Sequence, residues 1–342
     1  LDSITTGDYN TAVGPSAGTS VTSGGENIFV GNSAGSSITT GTNHIIIGYN
    51  AGDGLTVQMG GNVIVGHGAG TGGAAKFNHA VAIGQDALNS NATQSGSIAI
   101  GYRAGYGITT GLGNVAIGYN AADTVGTGGY NTIIGYNSLR SANTAASSNT
   151  AIGYQSMLNC SSATTTGNIA IGVGAMTGGS GDLTHCIAIG QIALDDTLGN
   201  DQTGTIAIGY MALTACTTGA ENIAVGYQAA DSINTGAGNT VIGFNAFSSA
   251  TSENSNVVIG GEAGKSQRHD SSDQNVFIGR QASIGGTGNR ADSVAIGYKA
   301  WGNDGNTNNV GGSENVFIGS LSGYGTWATA ASDGNTAIGY GT

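Results

Sequence analysis

Nineteen glycines that follow valine or isoleucine recur at a near-regular interval: Gly14, Gly31, Gly48, Gly66, Gly84, Gly101, Gly118, Gly135, Gly153, Gly172, Gly190, Gly209, Gly226, Gly243, Gly260, Gly279, Gly297, Gly319 and Gly339. Eight of the eighteen spacings are 17 residues, and the rest run from 18 to 22. A period this short marks a chain of stacked units, because no single unit can bury a hydrophobic face alone. With each glycine as position 0, position −1 is Val or Ile and position −3 is Val, Ile or Thr in all nineteen copies. β-Branched residues two apart mark one face of a strand. Position +3 is Ala or Ser in eighteen copies and Thr342 in the last, and position −4 is Asn in thirteen.

The remainder of each unit is Ser, Thr, Gly and Asn, as in "SITTGTN" and "SINTGAGN", and it holds all the length variation. Such residues favour turns. Each unit therefore reads as one fixed strand and one tolerant return. The predicted fold is all-β, a parallel β-roll or β-solenoid of about 19 coils of 17–22 residues. One elongated repeat domain over 1–342 is expected, with polar insertions near 266–275 and 302–315. At about 3.3 Å per residue a coil has a contour near 60 Å, which suits a flattened, two-sided coil. A three-sided hexapeptide coil fits poorly, because position 123, six after Ile117, is Asp. Nineteen coils at about 4.8 Å each would give a rod of roughly 90 Å. The Asn column should form a ladder of side-chain amides. The Gly column should allow a backbone approach that a Cβ would block. These glycines recur singly on strands and open no helix, so a phosphate loop is not expected.

Position −2 points opposite to the β-branched pair. It is Ala in eleven copies and a larger apolar residue in eight, and never polar. If the β-branched residues face the coil interior, this row faces out. A soluble monomer seldom exposes such a stripe. The expected cover is a second copy of the chain, since most oligomers are symmetric. The oligomer interface would then contain Ala12, Phe29, Ile46, Ile64, Ala116, Ile133, Val241, Val258, Phe277 and Phe317. Three chains about the rod axis are expected, with Ala marking close approach to that axis.

The repeated "NVAIG", "SVAIG" and "NTAIG" strands, each followed by Ser or Ala, resemble the head repeats of trimeric autotransporter adhesins. The longer unit is similar to repeat regions of bacteriophage tail fibres. The resemblance implies a parallel β-roll, trimeric about the rod axis, and a role in attachment.

Tyr stands at +1 in nine copies, among them Tyr102, Tyr119, Tyr136, Tyr154, Tyr210 and Tyr227. The column reads as an aromatic ladder over apolar surface, and its functional reading is a platform for cell-surface glycans. Position +4 runs from Gly (Gly18, Gly35, Gly52, Gly70) through Leu139, Met157, Met176, Leu194 and Leu213 to Phe247 and Trp301, which reads as changing rod thickness.

Charged residues make up 8% of the chain and the net charge is −12, which argues against nucleic acid and anionic lipid as partners. No run of 18 apolar residues is present, so no membrane insertion is expected. The five histidines (His44, His67, His79, His185, His269) share no column, and Asp195, Asp196, Asp270 and Asp273 fit no calcium motif. No metal, cofactor or catalytic residue is expected. Cys160, Cys186 and Cys216 read as free thiols rather than a disulfide framework.

The composition and repeat favour a non-enzymatic fibre shaft outside a cell or on a virion, with a glycan or receptor as its partner. Two alternatives stay open: an extracellular filament whose subunits stack end to end through unpaired strand edges, and a glycan-cleaving tailspike using paired carboxylates. An ice-binding solenoid would want more regular rows of Thr.

Overall fold

A computed structural model of the chain describes residues 1–56, 60–72, 78–90, 95–141, 145–162, 164–179, 181–196, 202–265, 272–285, 288, 290–302, 311–325 and 332–342. Among these the regular structure is all β: nineteen three-residue strands, one per repeat, and two strands of two residues. Each long strand ends on the residue before its repeat's glycine, as Val115–Ile117 does before Gly118. Most of the two expected polar insertions, at 266–271 and 303–310, lies outside the described residues.

The chain divides into two compact units, Leu1–Ala170 and Ile171–Thr342. In the first, the strands from Thr11–Val13 to Thr150–Ile152 pair each with the next, parallel and in register. Ala12 lies opposite Phe29 at one end, and Ile133 opposite Ala151 at the other. The second unit repeats this from Ile187–Ile189 to Thr336–Ile338. It also holds a short parallel pair, Leu183–Thr184 with Gln202–Thr203. One strand per turn of chain with parallel neighbours makes each unit a β-solenoid.

Like column meets like column, so each position must tolerate its own copy one coil away. Gly118 shows what this requires. Its φ is 134°, and a Cβ placed there would lie 2.5 Å from the carbonyl oxygen of Gly135 in the next coil. Left-handed backbone also recurs where the residue is not glycine. Asn120, Ala122 and Tyr130 have φ of 51°, 56° and 60°. Such conformations cost an L-residue about 1–2 kcal/mol. Each aims its N–H along the stack: Asn120 N donates to Tyr102 O at 2.9 Å, Ala122 N to Ser138 O at 3.1 Å and Tyr130 N to Leu112 O at 2.8 Å.

The strand faces are reversed from the sequence expectation. Position −2 points into the coil. Of the ten residues expected at an oligomer interface, Phe29, Ile46, Ile64, Ala116, Ile133, Val241, Val258, Phe277 and Phe317 are buried within the single chain, and Ala12 is half-buried. The β-branched residues at −3 and −1 face out.

The physical reason is a packing partner across the coil. Position −2 meets position +4, and the two compensate in size. A Cβ on Gly52 would lie 2.9 Å from Ile46 Cδ1, and one on Gly70 would lie 2.9 Å from Ile64 Cδ1. Where −2 is Ala, +4 is often large: Ala151 with Met157, Ala188 with Leu194, Ala207 with Leu213, Ala295 with Trp301. In twelve of the eighteen pairs one partner is large and the other small, whereas Ile133 with Leu139 and Val241 with Phe247 are both large and Ala99 with Gly105 and Ala116 with Ala122 are both small, so the pair fills the interior together with other inward columns, as close packing demands. Position +7 supplies a further inward column. Val21, Ile38, Ile108, Val125 and Ile233 are all buried there, among Ser and Thr in the return.

Two measurements check this account. Gly118→Ala should lower stability by about 1–3 kcal/mol or more through strain and clash, whereas Gly96→Ala, whose Cβ would meet open space, should cost less. Ile46→Ala alone should cost about 2–5 kcal/mol, and Gly52→Met alone should also destabilise. The double variant should recover most of the loss in thermal melting, because it recreates the Ala151–Met157 pairing. Strictly additive losses would refute size compensation.

Candidate functional surface

The Asn column is the most regular set of buried polar groups, and its bonds close on themselves. Asn114 Oδ1 accepts from Asn131 N at 3.0 Å and from Asn131 Nδ2 at 2.9 Å. Asn131 Nδ2 donates onward to Ala146 O at 2.9 Å, and Asn131 Oδ1 accepts from Asn149 N at 2.9 Å. The same pattern joins Asn222, Asn239, Asn256 and Asn275. These amides are structural, as buried polar groups generally are when fully paired. His44 interrupts the column and keeps a bond to it, with Nδ1 3.3 Å from Asn62 Nδ2.

All three cysteines are buried thiols outside any disulfide. Cys186 occupies the Asn position and donates to Gln202 O at 3.3 Å. Gln202 Nε2 donates to Cys216 Sγ at 3.7 Å. Burial pushes the Cys216 thiol up to about 11, which makes it a poor nucleophile at neutral pH.

Charged groups are few and scattered. Asp123 lies 3.2 Å from Arg103 Nη2 and 3.9 Å from Arg140 Nε, yet burial outweighs both cations and raises its pKa above the ordinary value. Asp195 is pushed up to about 6, first by burial and then by the charge of Asp196. Asp273 Oδ1 accepts from Asn254 N at 2.6 Å, a turn contact. His269 and Asp270 lie outside the described residues. Among the described residues no group of three or more His, Cys, Asp or Glu could hold a metal ion, and no helix is long and apolar enough to cross a membrane.

The sequence reading missed Arg290. It is wholly buried, donates from Nη1 to Ser283 Oγ at 2.6 Å, and lies with its guanidinium 4.6 Å from the Trp301 ring centroid. Burial pulls its pKa down to about 9. It stands at position −7, where many repeats have Gly, and that substitution was the available signal.

The surface with a regular composition is the outward strand face. Its two columns are Val, Ile or Thr throughout, and Ile28, Ile45, Ile47, Ile100 and Ile242 are exposed. Beside it runs the +1 aromatic column. Tyr102, Tyr119, Tyr136 and Tyr154 stack with centroids 4.9, 5.1 and 5.5 Å apart. Tyr210, Tyr227 and Phe244 stack at 5.1 and 5.4 Å. A platform for sugar rings needs open aromatic faces. Within these ladders the faces lie against one another, so the column offers solvent mainly ring edges and hydroxyls.

Comparison with protein-family models, curated proteins and solved structures finds no match to the chain.

The reversal of the two strand faces sets an outcome for one substitution. Ala116→Asp places a carboxylate in a dry core, where an unpaired charge costs several kcal/mol. The protein should lose its cooperative melt and β-rich circular dichroism. Folded subunits released from an oligomer would contradict the inward assignment.

Proposed function

We propose that this chain forms a structural, non-enzymatic segment of a fibre shaft, displayed outside a cell or on a virion. Its task is reach and attachment toward a cell-surface glycan or receptor. The observation that carries the reading is the in-register parallel stack in each unit, with fixed strands and all length variation confined to the returns. A binding or catalytic site needs particular side chains in particular places. A shaft needs only coils that stack, and here the strongest sequence constraints are those of stacking.

Other features support the same reading. The resemblance of "NVAIG" and "NTAIG" repeats to adhesin heads and tail-fibre repeats favours three copies about one axis. The chain has only 8 Lys and Arg residues, so trypsin sites are sparse. Backbone groups bonded from coil to coil resist local opening, which proteases require.

Limited proteolysis with negative-stain imaging tests this. Discrete rods that survive trypsin and proteinase K support a shaft, and labelled protein should coat a susceptible cell surface. Long continuous filaments would favour the end-to-end stacking alternative. Globular particles, or shortening of a capsular polysaccharide on incubation, would overturn the proposal.

A further inference from the structure

Among the described residues, the outward strand face keeps part of its Val and Ile surface in water. We infer that it is the interface through which a second copy of this chain docks. The inference rests on the shaft reading and adds the surface and the partner.

Chemistry comes first. No charged residue stands at −3 or −1 in any of the nineteen repeats. Isoleucines there keep over a third of their surface in water, such as Ile47 at 38% and Ile100 at 37%. Charge and amide lie outside the −3 and −1 columns, in the returns and at some +1 positions such as Gln85 and Arg280, so these two columns are the part of the outer wall most costly to leave in water.

Area is next. Nine strands at about 4.8 Å, over roughly 13 Å from the −3 column to the +1 aromatics, give a footprint of about 500–600 Å² on each unit. That already matches the largest apolar patch of an ordinary monomer, about 300–600 Å². Buried against an equal strip of a second copy, the strip of one unit gives about 1,000–1,200 Å² in total, at the lower bound for a biological interface.

Periodicity selects the occupant. The face is ridged at one strand spacing, and a partner that meets every ridge must repeat at that spacing. A helix, with turns about 5.4 Å apart, falls half a ridge out of step within about four coils. An identical chain stays in step by construction. Face to face, rows of Val and Ile from two copies can interdigitate as paired sheets do, about 10 Å apart.

The test uses the full chain. Light scattering should give a multiple of the 33.4 kDa chain mass. The triple variant Ile47→Lys, Ile100→Lys, Ile242→Lys should give 33.4 kDa, a twofold or threefold fall, with its β-rich circular dichroism retained. Thr110→Lys, on an exposed return, should leave the mass unchanged. A second variant does not depend on tolerance of Lys. Ile100→Cys should form an interchain disulfide under mild oxidation and Thr110→Cys should not. An oligomer whose mass survives the triple Lys variant, with no Ile100→Cys cross-link, overturns the interface and leaves the shaft reading standing. So does a single-chain mass for the unaltered protein with protease-resistant rods still in the images. Loss of the rods themselves sinks the shaft reading instead.

Discussion

Every coil must present to the next the backbone it receives from the last. That constraint, parallel pairing in register with one coil per strand spacing, explains most of what recurs in this chain. It excludes a Cβ at position 0, where one glycine's missing side chain makes room for the next glycine's carbonyl. It aligns the left-handed residues, whose N–H groups would otherwise point nowhere useful. It makes a buried amide column workable, because most of the Asn residues find an identical Asn one coil away. Local strain is accepted because the neighbouring coil supplies the bonds that hold it.

Much of this was legible in the sequence. The strand positions follow from the β-branched pair at −3 and −1, and the roles of Gly118 and Asn131 follow from their columns. The direction of the strand faces was not legible by periodicity, because a period of two separates two faces without saying which is inside. When both faces are apolar, hydrophobicity no longer breaks the tie. The signal that does is the reciprocal size of −2 and +4: Ile46 with Gly52, Ala151 with Met157. Both columns are visible in the sequence, yet each looks arbitrary until they are read as a pair. Val21 and Ile108 were hidden for a different reason, standing as single apolar residues among Ser and Thr. Arg290 stands in a column that holds Gly in eight repeats but also Leu183, Gln202 and Glu253, so its inward place had only a weak sign.

Two-sided apolarity is the observation on which the proposed docking face rests. The coil interior is filled by −2, +3, +4 and +7. The Val, Ile and Thr of the outer wall serve the strand through their β propensity, and in both units they leave an apolar strip facing water. The tyrosine ladder beside them adds a rim of ring edges and hydroxyls, a boundary between that wall and the polar returns.

The asparagine column also has a direction. In each step the carbonyl belongs to the earlier coil, and the backbone and amide N–H groups that meet it come from the later one. A nascent chain therefore leaves an acceptor waiting at its growing end, and the residues synthesised next carry the matching donors. Where the column is unbroken, each finished turn thus offers its successor an Asn acceptor in a fixed register.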